Sequence, residues 1–411
     1  MMQSPQAAPK YRWTILGVNF LFLTFAYAGL SAWSIAVPQL AKTFSLTPTQ
    51  TQLGSSALMA GYAVGSFFEA LLSARIGPKK TGLLAAILLL IPQFTIPLVG
   101  SYWLILLLRF IQGWGIVWFV TVSMTTAWFP LKERGLASGV VGGAIPAGIG
   151  LGGVIAAGLL NITETWQQAF TYFGILVLIV AFLWAMFAED APADLYADPS
   201  QPAAGPATGV QVNPFKLAAG WLVALCLFFN AFQLIGFNSV LPNYMYDLKY
   251  TPAEAGTVIL FCGLIGVLST PLGGVFSDWL AARGVSPIKA RSYVMAIPGF
   301  LVAGVATIAF PFMAPAGYSD LMLVAVIACW GVPLTNASIG ALPLDMLKNP
   351  DIAGKLFGMT ILIGLFGAVV APFFITFVSS VAGWTTAFII LGAAALVGTV
   401  LGIIIPGKFK D

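Results

Sequence analysis

Few side chains in this 411-residue chain could do chemistry, and Arg109 is the most informative of them. It stands about two helical turns inside an apolar run that extends from 102 to 127. An arginine at the centre of a membrane helix costs roughly 2.5–3.5 kcal/mol on insertion scales, so this position calls for a compensating role. No Asp or Glu lies at comparable depth in any other apolar run, and Glu69 stands near the far end of its own. Two roles remain open. The planar guanidinium fork can grip a carboxylate bidentately, which would make Arg109 an anion site. It can also hydrogen-bond helix carbonyls and hold the runs together.

Uncharged polar residues at helical spacing supply the rest of a candidate lining. Tyr27 and Ser31 share a face with Thr24 and Ser34, and Tyr62 shares one with Ser55, Met59, Ser66 and Glu69. Gln112 follows Arg109, with Phe119 and Ser123 beyond it. In the second half of the chain stand Asn230 and Gln233 with Asn238, and Trp330 and Asn336 with Thr335. The candidate substrate-binding residues are therefore Arg109, Gln112, Tyr27, Ser31, Tyr62, Asn230, Gln233, Trp330 and Asn336. Any one of them is as readily interhelical glue, worth about 0.6 kcal/mol on average. Histidine is absent, and the three cysteines (Cys226, Cys262, Cys329) sit in separate apolar runs as small core residues. No catalytic residue, metal site or cofactor is expected.

The elements that must position these residues follow from composition. The chain is 59% hydrophobic and 8% charged, with a mean hydropathy of +0.95. Soluble domains carry about 25% charged residues, so this chain has lipid as its main solvent. Lipid leaves no partner for an open backbone, and the runs are too long for the strands of a barrel, so they are helices. Twelve are expected, near 13–37, 51–73, 81–99, 102–127, 136–160, 167–187, 216–245, 252–276, 292–313, 320–344, 353–379 and 384–405. The first is too long for the core of a signal peptide and reads as a retained span. Residues 189–214, rich in proline, alanine and acid, read as a cytoplasmic linker between a six-helix bundle at 1–188 and a second at 215–411.

With the N-terminus inside, fifteen Lys and Arg fall on the cytoplasmic side, among them Lys10, Arg12, Arg75, Lys79, Lys80, Lys132 and Arg134 in the first half. Only Lys42 and Lys249 fall outside. That bias places both termini in the cytoplasm and makes the net charge of +4 topological, so no nucleic-acid partner is expected. The expected location is the plasma (inner) membrane, with the lipid bilayer as surroundings and a monomer as the functional unit.

An internal repeat supports two related halves. Trp166-Gln-Gln-Ala-Phe170 opens span 6, and Trp384-Thr-Thr-Ala-Phe388 opens span 12, 218 residues later. Gly135-Leu-Ala-Ser-Gly139 is echoed 219 residues on by Gly354-Lys-Leu-Phe-Gly358. Parallel repeats of this kind place a substrate site between the halves near mid-bilayer.

Arg109-Phe-Ile-Gln-Gly113-Trp-Gly115 resembles the span-4 motif of the major facilitator superfamily. Gly274-Val-Phe-Ser-Asp278, followed by Arg283-Gly284, resembles the cytoplasmic-loop motif of that superfamily in its second-half copy. The segment Trp128-Phe-Pro-Leu-Lys-Glu-Arg-Gly-Leu-Ala-Ser-Gly139 and the loop Arg75-Ile-Gly-Pro-Lys-Lys80 are similar to those of carboxylate and organic-anion carriers, among them oxalate:formate antiporters. The resemblance implies an all-α integral membrane fold, twelve transmembrane helices in two pseudo-symmetric bundles, with a cavity lined by spans 1, 4, 7 and 10. There are departures. The first-half loop motif has Ala74 where an Asp is usual and Ala70 where a Gly is usual. Spans 8 and 11 lack the deep basic residues of oxalate carriers, so a doubly charged oxalate is not expected.

Span 5 carries Gly139, Gly143, Pro146, Gly150, Gly153 and Ala157 on one face. Small residues let backbones approach closely, which suits a seam that slides or rocks between halves. The stripe also resembles that of drug:proton antiporters, although their Gly-Pro pair is absent. Asp278 is expected to latch against Arg134 and the start of span 5, and Arg75 belongs to the corresponding first-half loop. Gly143, Pro146, Gly150, Asp278, Arg134 and Arg75 are thus the candidate gating residues. The expected function is that of a secondary active transporter moving a small anion, a monocarboxylate or similar organic anion, by alternating access as antiporter or symporter. The alternative is an exporter of lipophilic drugs. A membrane enzyme or non-transporting receptor is a remote third, since no nucleophile–base pair or metal cluster is visible.

Overall fold

Prolines and threonines set where the helices begin. A computed structural model, which describes residues 9–130, 133–192, 195, 218–346 and 350–408, opens span 2 with a capping box. Thr47 Oγ1 accepts from the Gln50 amide, and Gln50 Oε1 accepts from the Thr47 amide at 2.8 Å. Pro48 takes the first helical position, where a missing N–H leaves nothing unpaired. Thr251, Pro252 and Glu254 repeat the device at the start of span 8. Both starts follow a residue in the left-handed region, Ser45 at φ 53° and Lys249 at φ 71°. A shared start is thus a second trace of duplication.

The spans are Arg12–Phe44, Pro48–Ile76, Pro78–Leu98, Tyr102–Trp128, Leu136–Ile162 and Trp166–Phe187, then Gly220–Asp247, Pro252–Ala282, Pro287–Ala316, Tyr318–Pro343 and a stretch within Pro350–Ile404. That last stretch is two helices. Gly383 breaks it at φ 81°, ψ 164°, a conformation that glycine adopts without strain, and so divides spans 11 and 12. All twelve expected spans are therefore present, and no strand occurs among the described residues. Span 1 continues past 37 to Phe44. The expected linker 189–214 lies outside the described residues except for 189–192 and 195, and so do Lys132, Lys216, Lys348, Lys410 and the side chain of Lys355.

Three spans are irregular. Span 4 breaks between Gly113 and Trp118, and span 5 is jointed at Gly143. Span 9 carries a π-helical stretch, Met295–Leu301, around Pro298. Proline removes an amide and crowds the preceding turn, and a π turn relieves that crowding.

Large apolar side chains cover the outside of the bundle, among them Trp103, Leu98, Ile162, Phe182, Phe312 and Val381, all well exposed. Polar residues are turned inward instead: Asn19, Arg109, Gln112, Gln233 and Thr335 are buried. This inversion suits hydrocarbon as the surrounding medium. Spans 1–6 pack chiefly among themselves, as do spans 7–12, and the two sets meet where span 2 lies against the 11/12 stretch and span 5 against span 8.

Two tryptophans tie each set shut at corresponding places. Trp166, which opens span 6, gives its Nε1–H to Thr43 Oγ1 at the end of span 1. Trp384, which opens span 12, gives its own to Asp247 Oδ2 at the end of span 7, at 2.7 Å. On the opposite, basic-loop face the first set is clasped by several contacts. Arg12 pairs with Glu133 at 2.9 Å, and Tyr11 Oη donates to the Phe187 carbonyl. Asp190 Oδ1 accepts the Lys79 amide at the start of span 3, at 2.8 Å.

Candidate functional site

The span-4 helix carries Arg109 into the interior, where it has no exposed surface. Its Nε donates to the Gly54 carbonyl of span 2 at 3.2 Å. Nη1 donates to the Gly29 carbonyl of span 1 at 3.4 Å and to Gln112 Oε1 at 2.8 Å. The guanidinium also lies 4.9 Å from the Trp33 ring centre, a cation–π contact. Gln112 passes the chain of bonds to Gln93 Oε1, and Gln93 to the Phe170 carbonyl, so the network reaches spans 3 and 6. One donor is left over: Nη2 is buried without a partner. The carbonyl-bonded role raised from the sequence is thus realised in this conformation, with one arm of the fork still open.

Tyr27 and Tyr62 meet across spans 1 and 2, ring centres 5.8 Å apart and edge to face. Ser31, on the same span as Tyr27, is buried with its hydroxyl unpartnered. In the second half Asn230 gathers span 10. Its Nδ2 donates to Thr335 Oγ1 at 2.6 Å, to the Val332 carbonyl at 3.0 Å and to Asn336 Oδ1 at 3.1 Å. Gln233 turns the other way and donates to Thr307 of span 9 at 2.8 Å. The nine expected binding residues therefore fall into separate groups. Arg109 and Gln112 form one, Tyr27 and Tyr62 a second, and Asn230 and Asn336 a third, with Gln233 turned away from all of them.

Trp330 belongs to a cavity of about 510 Å³ between the two sets of spans. Phe20 lines it from span 1, Gly139, Val140 and Gly143 from span 5, and Val267 and Pro271 from span 8. These residues run from mid-span toward the face that carries the basic loops. At the other face the sets are tied. Gln52 Nε2 donates to the Ser239 carbonyl, and Tyr246 Oη to the Ile35 carbonyl, each at 3.2 Å. The volume falls within the ordinary range of small-molecule sites, and the walls are largely apolar.

From the cavity toward the face where the sets are tied runs the span 5–span 8 seam. A Cβ on Gly150 would meet Gly263 Cα at 3.0 Å, and one on Gly266 would meet Pro146 Cβ at 2.5 Å. Gly143 faces Val267. The small-residue stripe read from the sequence thus faces span 8, while Gly148 and Gly152 between its members face span 1.

The charged candidates lie at the basic-loop face. Arg134 gives its Nε–H to the Phe129 carbonyl at 3.0 Å, and Asp278, 74% exposed, stands 3.7 Å from Arg291. Arg291 also pairs with Asp345. Asp278 and Arg134 are therefore not paired in this conformation, and Arg75 is exposed in the last turn of span 2. Asp190, on the Lys79 amide, brings an acid to the first-half loop whose usual Asp is replaced by Ala74.

Sequence reasoning missed Gln93 and Trp33, whose roles depend on which helices are neighbours. It also missed Phe20, Val267 and Pro271, which no chemical signal separates from other apolar residues of their spans.

The sequence profile of the Major Facilitator Superfamily matches residues 20–360. A probable sulfoacetate transporter of Cupriavidus necator is 28% identical over 96% of this chain and 94% of its own. A hexuronate transporter of Bacillus subtilis is 25% identical over 92% of this chain and 91% of its own. In fold, the chain is similar to the crystal structure of a bacterial homologue of the human lysosomal transporter Spinster, inward-facing and unoccupied. That likeness has a TM-score of 0.74 at 19% identity, over 98% of this chain and 97% of that one. Twelve spans, a seam of small residues between two sets of six, and a profile match over most of the length agree: the chain belongs to the Major Facilitator Superfamily.

Proposed function

We propose that this protein is a secondary transporter that carries a small organic anion across the membrane by alternating access. The observation that carries the reading is the open Nη2 arm of Arg109, a fixed positive charge at depth with one donor unspent. The relatives support it, since sulfoacetate and hexuronate are both small organic anions. A monocarboxylate such as a hexuronate is the first candidate, held by the guanidinium at its charged end and by Tyr27, Tyr62, Ser31, Asn230 and Asn336 along its hydroxyl groups. Uncharged donors and acceptors of that kind suit a polyhydroxy acid.

In this reading the halves 1–188 and 215–411 rock about the span 5–span 8 seam, and the basic-loop face is the cytoplasmic one, in the plasma (inner) membrane. The bonds Gln52–Ser239 and Tyr246–Ile35 hold the outer side closed. When the halves rock the other way, Asp278 reaches Arg134 and closes the inner side.

The test is a thermal-shift screen of the detergent-purified protein against galacturonate, sulfoacetate, formate and lipophilic cations, repeated on Arg109→Gln. A ligand at about 100 times its Kd stabilises the folded state by roughly 2.7 kcal/mol. A shift from an organic anion that vanishes in the variant is expected. The apolar walls and Trp330 of the cavity favour a second reading, export of lipophilic compounds. Shifts from lipophilic cations alone, unchanged by Arg109→Gln, would establish that reading and refute the first.

A further inference from the structure

We propose that Glu69 is the proton-carrying group of the transport cycle, so that the anion moves together with a proton. The inference rests on the anion-carrier reading and adds the coupling ion to it. Glu69 is 5% exposed, and both of its carboxylate oxygens are buried without a hydrogen-bond partner. Acidic side chains inside membrane spans are rare, and a buried one with no partner is a functional candidate.

Among the described residues, the groups packed around it offer no counter-ion. Tyr27 of span 1 and Tyr62 of its own span meet edge to face and are buried, and a phenol carries no charge near pH 7. Span 4 brings Trp114, an uncharged ring stacked on Phe68, the residue before Glu69. Arg109 bonds to Gly54, fifteen residues back along span 2, which at 1.5 Å per residue is about 22 Å away. Span 3 carries its only charges, Lys79 and Lys80, in its first turn. Arg75 is exposed two turns further toward the basic-loop face. Span 5 has no titratable residue, and the two of span 11, Asp351 and Lys355, have side chains outside the described residues.

An ionised carboxylate without water or partner is strongly disfavoured, so the neutral acid is the form that fits this conformation. Span 2 is one of the spans along which the two sets meet, so its surroundings change when they rock. Whatever conformation turns Glu69 toward water solvates the ionised form. A proton then binds the two conformations unequally, and that difference is what couples protonation to the switch. The sign follows: proton uptake favours the conformation described here, and proton release favours the other. A neutral Glu69 also spares an entering anion a negative neighbour in a low-dielectric interior, so proton and anion travel in the same direction.

The experiment uses the purified full chain in proteoliposomes, with galacturonate and sulfoacetate as probes and pyranine inside to report protons. At one proton per anion, a pH difference of about two units can drive roughly 100-fold accumulation. Wild type is expected to accumulate probe and acidify the lumen when the lumen is alkaline. In Glu69→Gln the ratio of gradient-driven uptake to exchange at equal pH should fall at least about tenfold, and Glu69→Asp should restore part of it. Gradient-driven uptake that persists in Glu69→Gln, or a wild type that exchanges probe without moving protons, would overturn the proposal and leave the anion reading standing. No movement of either probe by wild type would instead overturn the anion reading, and this proposal with it. If Glu69→Gln does not fold, Glu69→Asp and the pyranine signal of wild type decide.

Discussion

Gly263→Ala probes whether the span 5–span 8 seam governs the conformational equilibrium. A Cβ there would lie 2.5 Å from Gly150 Cα, 2.5 Å from the Pro146 carbonyl oxygen and 2.8 Å from the Gly150 nitrogen. All three are backbone atoms that cannot swing aside. Ordinary contacts need about 3.5–4.0 Å, so the two helices must part by roughly 1 Å. Overpacking of this kind costs about 1–3 kcal/mol, and each 1.4 kcal/mol is tenfold in an equilibrium. The conformation with the seam closed should therefore become roughly 5- to 150-fold less populated relative to one with the seam parted. A cysteine placed at Val140, in the cavity wall, reports this through its alkylation rate, since the native cysteines are all buried. Gly158→Ala is the control on span 5, because nothing lies within 4 Å of its added Cβ. Equal labelling in Gly263→Ala, Gly158→Ala and the parent would refute the idea that close approach at this seam sets the equilibrium.

Four further outcomes are expected. Trp384→Phe should destabilise the detergent-solubilised protein by about 1.5–3 kcal/mol through loss of the bond to Asp247. Trp166→Phe, which loses a bond to a neutral hydroxyl, should cost only about 0.5–1.5 kcal/mol, and denaturant unfolding ranks the two. Asp190→Ala should lower stability by about 1 kcal/mol, less at high salt, because it uncaps the start of span 3; thermal unfolding at two ionic strengths checks it. Asn230→Ala removes three bonds to span 10 and should weaken ligand-induced thermal shifts more than Gln233→Ala, whose partner is on span 9. Asp278→Asn should change both transport rate and two-sided cysteine accessibility; if it changes neither, the proposed latch with Arg134 is wrong.

Much of the fold was legible because lipid imposes it. Run length and the alternation of Lys and Arg across the runs locate the spans, and even the merged pair at the end divides at Gly383, next to the repeated Trp384. That Trp was recognisable because the same hydrogen-bonding job recurs in each half. The matching starts of spans 2 and 8 escaped notice, because Gln50 and Glu254 look different although either side chain can close a capping box. The sites were less legible. The partners of Arg109 are backbone carbonyls, which every residue possesses, so the sequence could raise that role without identifying the helices involved. The place of Glu69 along its span could be read, but the burial of both its oxygens depends on the spans packed against span 2. The cavity walls are ordinary apolar residues, and only tertiary packing separates them from lipid-facing ones.

The contacts around Tyr11, Arg12, Lys79, Glu133 and Asp190 bear on how the protein is made. Every one joins segments between residues 11 and 190, so the first six spans hold the means of closing their basic-loop face before any later span exists. Synthesis proceeds at about 5–20 residues per second, so the remaining six spans need roughly 10–40 s more. During that interval the ribosome is still attached, and every residue of the clasp is already part of the growing chain. Closing the clasp at that stage would let spans 7 to 12 dock on a formed surface along spans 2 and 5, where the two sets meet.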